Sequence, residues 1–315
     1  GWAASCLDAG LSVSLLVPDE AGQADLAARI AAIHDEAVVR QRMSPAQRDE
    51  KRARRDVSGG RAALNAVDLV ISVGAEDLAP LEAATRPGAI LASAVPPGHA
   101  VTPDGLSRPA DLVGLQVTSP AHVARLVEVL SGPGTAPDVL LTLMRLFKKT
   151  GRVAVLSPAE EGGIGAAVWG ACVWVAEALV SMGAAPEEVD DALRGYGFTR
   201  TPFQTRTPRT TRGTPRDFAT DEIVQRCLVA MANTGALLVE AGAARRPSDV
   251  DMVMIHGYGF PRWHGGPMMA ADLTGLLLVK ETLKVLTGED AGFWAPSDLF
   301  DELIKNGRHF ADLND

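Results

Sequence analysis

Cysteine, tyrosine and positive charge are all scarce in this chain, and each shortage removes a class of function. Three cysteines in 315 residues, Cys6, Cys172 and Cys227, are odd in number and lack the short spacings of a metal set. They predict neither a disulfide framework nor a zinc site, but buried thiols in a reducing compartment. Thirty Lys and Arg against 39 Asp and Glu give a formal charge of −9, without the basic footprint of a nucleic-acid binder. Apolar runs long enough and free enough of charge to span a bilayer read as absent, and no secretory signal opens the chain. The expectation is a cytoplasmic protein with no membrane span. What is present, 47% hydrophobic and 22% charged residues, suits an ordinary globular protein of about two domains.

The most informative feature is a repeat. Pro186-Glu-Glu-Val-Asp190 followed by Gly195-Tyr-Gly-Phe-Thr-Arg returns as Pro247-Ser-Asp-Val-Asp251 followed by Gly257-Tyr-Gly-Phe-Pro-Arg-Trp-His-Gly-Gly-Pro267. Each copy follows a long apolar helical run, residues 168–185 and 227–244. A helix, an acidic cap and a Gly-aromatic-Gly-Phe turn are therefore duplicated, and repeats set the architecture around them. Residues 159–205 and 221–315 read as two related helical units. The Arg/Thr/Pro-rich stretch 206–220 reads as a mobile linker whose positive charges have the reach to meet a phosphate.

The first 158 residues read as alternating strands and helices, the pattern of a doubly wound sheet. Residues 1–10 look like a helix already under way, closed by Gly10, with a strand at 11–17. The expectation is a fragment that lacks a first strand and the turn before its first helix. Residues 20–40 form a long helix. The charged stretch 40–55 has no aromatic residue and restarts at Ser44-Pro45, so it reads as a solvated helical hairpin rather than a nucleic-acid patch. Strands follow at 68–73, 89–93, 112–117, 126–130 and 153–156, the first of these apolar enough for burial on both faces. A helix capped by Thr135 and ending near Gly151 precedes the last strand.

These residues resemble a known family. Asp-Leu-Val-Ile at 68–71, Ile-Leu-Ala-Ser at 90–93, Leu-Val-Gly-Leu at 112–115, Leu-Val-Glu-Val at 126–129 and Gly-Tyr-Gly-Phe-Pro-Arg-Trp from Gly257 come in a telling order. That order is similar to the 3-hydroxyacyl-CoA dehydrogenase part of the multifunctional enzymes of fatty-acid β-oxidation. Phe293-Trp294 and the ending Phe310-Ala-Asp-Leu-Asn314 resemble the multifunctional type. The resemblance implies an α/β plus all-α protein: a Rossmann-like doubly wound sheet, then two related helical domains like the C-terminal domain of 6-phosphogluconate dehydrogenase. It also implies NAD as cofactor, no metal, an acyl-CoA ligand, an attached enoyl-CoA hydratase/isomerase-type domain and a homo-oligomer.

The resemblance further implies site positions, and several are changed here. Gly1 corresponds to the last glycine of the dinucleotide-binding turn. The acidic residue that binds the ribose corresponds to Val17, with Asp19 as a substitute beyond a proline. Ser72 stands where an acidic residue lies near the nicotinamide, and Glu76 is at the cofactor side. The catalytic histidine corresponds to Gln116, whose amide has no proton to exchange, while the carboxylate that would orient it is retained as Glu128. The family's substrate-side hydroxyl in Ser-Asn-Thr-Ser corresponds to Pro96, in a segment reading Ser93-Ala-Val-Pro96, and its asparagine to Ala166. Loss of a general base costs about two to four orders of magnitude in rate. Among other histidines, His122 is the nearest alternative base; His34 reads as lying on a helix surface, His99 and His309 as exposed, and His256 and His264 flank the repeated turn.

Three functions remain open on these residues. One is a redox-degenerate module that acts as a scaffold for a hydratase/isomerase-type domain. Another is an active NAD-dependent 3-hydroxyacyl-CoA dehydrogenase with a rearranged site. The third is a non-redox acyl-CoA binder using residues 206–216.

Overall fold

Helix α1 (Trp2–Asp8) leads into the two-residue strand β1 (Val13–Ser14) in a computed structural model that describes every residue except 18–19, 57–60, 75–76, 119–120 and 160–161. Contacts divide the chain into two units, Gly1–Pro96 with Val101–Ala154, and Pro97–Ala100 with Val155–Asp315.

In the first unit, α2 (Glu20–Val39) and α3 (Pro45–Ala53) carry the chain from β1 to β2 (Arg55–Asp56), which pairs with β1 in parallel. Helix α3 starts where Ser44-Pro45 predicts. The Ser44 hydroxyl accepts from the Gln47 N–H and the Gln47 side chain answers from the Ser44 N–H, a reciprocal pair that satisfies two otherwise orphan donors. The charges of the hairpin are spent locally: Arg48 and Arg52 reach Asp35 of α2, and Lys51 reaches Asp8 of α1. His34 is not on the surface. It is 1% exposed, with Nε2 3.4 Å from Asp8 Oδ1, and burial lowers its pKa.

The second sheet runs β3 (Leu69–Val73), then β4 (Ile90–Ala94) after α4 (Ala79–Ala84), then β5 (Leu112–Gln116), β6 (Leu126–Ser131) and, after α5 (Pro137–Lys149), β7 (Val153–Pro158). Its strand order is β3-β4-β5-β6-β7, with β3, β4 and β5 parallel and β6 antiparallel to β5. Strand β5 is buried at every position, as its apolar run implies. Strand β3 differs from expectation. It lies at the border of the sheet, so its first three residues are half-buried and Val73 is 67% exposed. A continuous apolar run shows that a strand is wanted, not that it has two neighbours. The helix cap is also displaced by one residue: Ala136 is the N-cap of α5, because Pro137 already occupies the first helical position. The Thr135 hydroxyl instead accepts from the Gly132 N–H and donates to the Leu112 carbonyl.

In the second unit the repeat becomes visible as structure. Helices α6 (Ile164–Ser181) and α7 (Pro186–Tyr196) form the first copy, α8 (Thr220–Glu240) and α9 (Pro247–Gly257) the second. Pro186 and Pro247 each open the short helix, where a missing N–H costs nothing. The long helices pack on each other, and α7 packs on α8 while α6 packs on α9. The two Gly-Tyr-Gly-Phe turns meet: the Thr199 N–H donates to the Gly259 carbonyl at 2.9 Å, and Phe198 meets Phe260 edge-to-face at 5.0 Å. Gly259 is obligatory there, since its φ is +78° and a Cβ would lie 2.7 Å from the Thr199 hydroxyl oxygen. The paired acids act alike. Asp190 accepts from the Phe203 N–H, and Asp251 accepts from the Met268 and Met269 N–H groups at the start of α10 (Pro267–Thr274).

Helices α11 (Leu276–Leu286) and α12 (Asp298–Lys305) complete the unit. Buried Asn233 of α8 is satisfied on both sides, donating to the Ala295 carbonyl and accepting from the Ser297 N–H. Trp294, Phe300 and Phe310 are among the largest fully buried side chains. The family-like ending is tied down by Asp272, which accepts from the Phe310 and Ala311 N–H groups. Contrary to expectation, α6 and α8 are each long and apolar enough to cross a membrane by length and composition. Their apolar windows are 56% and 61% buried, because each helix is a core element of this unit.

Residues 206–216 have no regular structure, yet they are fastened to α6. The Glu177 carboxylate accepts from the Arg206 guanidinium, the Arg209 and Thr210 N–H groups and the Thr210 hydroxyl. In the last turn of α6 the Val180 carbonyl accepts from the Gly213 N–H, and just past the helix the Gly183 carbonyl accepts from the Arg216 N–H. Gly183 is needed for the approach, since a Cβ there would lie 2.0 Å from the Thr214 carbonyl oxygen.

Candidate active site

Strand pairing alone assembles part of the site. Gln116 at the end of β5 lies directly opposite Glu128 of β6, so the two side chains share one face of the sheet. Both are 2% exposed. The Gln116 amide nitrogen donates to the Pro96 carbonyl at 3.1 Å, which brings the third changed position to the same place through its backbone. Further along the sheet, Ser72 of β3 is paired with Ser93 of β4, and Ser93 with Gly114 of β5. Gly114 is two residues before Gln116, so the period of two puts Ser72, Ser93, Gln116 and Glu128 on the same face. The Ser72 hydroxyl is buried with no hydrogen-bond partner. This row supplies an amide, a carboxylate and two hydroxyls. It can hold a polar group by hydrogen bonds, but it contains no imidazole.

The remaining expected residues are placed elsewhere. Ala166 stands in the first turn of α6, half-buried, in the helical unit. Gly1 is the N-cap of α1, and a Cβ added there would lie 2.7 Å from the Ala121 side chain, so that flank is already filled. Val17 follows β1, half-buried, and offers no hydrogen-bonding side chain. Asp19 and Glu76 lie outside the described residues. At Val17, where the resemblance puts the acceptor for the ribose hydroxyls, the described chain offers no hydrogen-bonding side chain, and that position does not fit a dinucleotide.

The other histidines lie in their own surroundings, His256 half-buried in α9. His122 is exposed on a turn, His99 and His309 are exposed, and His34 is sealed beside Asp8. His264 lies flat against the Tyr196 ring at 4.2 Å, in the helical unit. No group of three or more His, Cys, Asp or Glu suited to a metal occurs among the described residues. The arginines proposed for phosphate contact are partly committed: Arg206 to Glu177, and Arg212 Nε to the Gly183 carbonyl. Sequence reading missed Asp251. Burial pushes its carboxyl up to about 7 against the pull of the two backbone N–H groups it accepts from, a consequence of packing that no local pattern signals.

A family model described as the 3-hydroxyacyl-CoA dehydrogenase NAD binding domain matches residues 1–160, just over half of the 315. The chain belongs to the 3-hydroxyacyl-CoA dehydrogenase family. The model of that family's C-terminal domain matches residues 223–311, which covers the second helical copy. Among curated relatives, the peroxisomal bifunctional enzyme of Danio rerio is 26% identical over 337 residues, covering 78% of this chain and 46% of its own. The fatty acid oxidation complex subunit alpha of Idiomarina loihiensis is 23% identical over 265 residues, covering 64% and 37%. The chain thus spans less than half the length of these relatives. Among solved structures, 3-hydroxybutyryl-CoA dehydrogenase from Escherichia coli shares the fold with a TM-score of 0.83 at 17% identity, covering 97% of this chain and 96% of that one. The dehydrogenase part of multifunctional enzyme 1 from C. elegans aligns with a TM-score of 0.56 at 16% identity, covering 96% and 86%. The sheet with a helical C-terminal part is the family's Rossmann-like architecture.

Proposed function

We propose that this chain is a redox-silent dehydrogenase-family module of a fatty-acid-oxidation multifunctional protein, and that it serves as a scaffold for an attached enoyl-CoA hydratase/isomerase-type domain. The observation that carries this reading is the Gln116–Glu128 pair. An amide is held buried in register with the retained carboxylate and spends its N–H on the Pro96 carbonyl. An amide in that place takes up no proton at neutral pH, whereas alcohol oxidation requires a base for the hydroxyl proton. Pro96 and Ala166 each remove a further polar contact, and Val17 removes the ribose acceptor. Retention of the duplicated helical unit, with its buried core and fastened turns, supports a role that needs no cofactor. The exposed Leu273, Leu277, Leu278 and Val285 of α10 and α11 offer an apolar surface for association into oligomers. The three free thiols suit a cytoplasmic setting.

The test is a titration of the purified chain with NADH, followed by nicotinamide fluorescence and by melting temperature, together with turnover of acetoacetyl-CoA. No saturable NADH signal and no turnover above the protein-free rate are expected. Saturable binding accompanied by turnover would overturn the proposal.

A further inference from the structure

The helical unit holds a half-open hollow of ≈ 260 Å³ between α8, α10 and α11, bounded on one side by Tyr196. We infer that it is a binding site for an alkylammonium group, an unbranched apolar chain ending in a protonated amine. Its walls are apolar: Val224 and Leu228 from α8, Ala271 from α10 and Val279 from α11. Its volume is enough for a short aliphatic chain, with one end left in solvent.

The polar lining decides the head group. Thr274 spends its hydroxyl proton on the Ala270 carbonyl, and the Gln225 amide nitrogen lies 3.4 Å from the Thr282 hydroxyl. Burial raises the Tyr196 pKa, which keeps the phenol neutral. Asp221 is different. It is exposed in the first turn of α8 and has no ion pair or hydrogen bond among the described residues. No Lys, Arg or His lines the cavity. The lining therefore carries one uncompensated carboxylate and no cation. A carboxylate- or phosphate-bearing chain is repelled there, whereas an ammonium group can stay solvated beside Asp221 while its methylenes fill the apolar space. The same head and tail occur in a free alkylamine and in a lysine side chain of a peptide segment. This inference is independent of the redox-silent reading, since every residue in it lies in the helical unit.

The experiment uses the whole chain with hexylamine, hexanoate and an Nα-acetyl-lysine amide, each followed by saturation-transfer NMR titration. Hexylamine is expected to bind several-fold more tightly than hexanoate. Asp221→Asn should cut the amine affinity about two- to five-fold, the range of a solvated ion pair, and Ala271→Leu, which fills the hollow, should abolish the signal, with circular dichroism showing that the helical fold is kept. Binding of the lysine amide but not hexylamine assigns the site to a peptide source; the reverse assigns it to a free amine. Hexanoate binding as tightly as hexylamine, absence of binding by both amines, or an amine signal that survives Ala271→Leu would overturn the inference.

Discussion

Asp251 illustrates how a single residue acquires properties that its neighbours in sequence do not announce. Its carboxyl, ordinarily near 3.8, is raised to about 7 by burial, opposed by the Met268 and Met269 N–H groups and aided slightly by nearby Asp272. Between these values the folded chain holds a proton that the unfolded chain has released. The associated stability is fully present below about pH 4 and is lost as the pH rises through 7. Melting temperature should therefore fall between pH 5 and pH 8 in the native chain, and Asp251→Asn should flatten that fall. Equal slopes in the two proteins would contradict the assignment. The repeat pointed to this acid as part of a cap, but not to its role as acceptor at the start of α10. Its titration was not legible either, because burial arises from the packing of distant segments. His34 has the same explanation: twenty residues of Ala-rich helix give no sign that Asp8 and α3 close over it. The Gln116–Glu128 pair was legible as two family positions, and the antiparallel register of β5 and β6 supplies what sequence lacks, namely that the two share a face.

At the scale of elements, the duplicated phrase was the clearest text in the chain, because its prolines, acids and glycines each have a local stereochemical reason to be where they are. The segment after the first copy was harder to read. Its Arg, Thr and Pro content suits a solvated linker, but Glu177, thirty residues earlier, gathers it onto α6. Although burial opposes ionisation of Glu177, hydrogen bonds from Thr210 and the Arg209 N–H, with Arg206 beside it, keep its carboxyl below the usual range. Glu177→Ala should release residues 206–216: trypsin should cleave there markedly faster, and stability should fall by about 2–4 kcal/mol, as for loss of several charge-assisted hydrogen bonds. Unchanged cleavage would show that the Gly183 and Gly213 contacts suffice alone. The Thr135 misplacement is smaller. A threonine before Pro looked like a cap, but the proline fixes the helix start, and the hydroxyl serves the sheet instead.

For the whole molecule, the two units differ in how completely they provide for themselves. The helical unit pairs its two copies and buries its large aromatics within residues 155–315, with only Pro97–Ala100 drawn from elsewhere. A fragment of residues 155–315 should express as a helical protein that melts in one cooperative transition by circular dichroism; a non-cooperative melt would show that the unit depends on the rest of the chain. The fold class was legible from the strand-helix alternation and the repeat, whereas the division of the strands into two separate sheets was not, since apolar runs identify strands but not their neighbours.

Among the described residues, that division leaves Leu69–Val73 with hydrogen-bonded pairing on one side only and Val73 bare to solvent. A short apolar rim of this kind, carrying no lysine, proline or bulge to discourage company, is a template on which any extended polypeptide can zip. Concentrated solutions of this chain should therefore stick together through the sheet as well, by a route separate from the apolar face of α10 and α11, and a lysine placed at the solvent-facing end of that rim is the remedy the topology recommends.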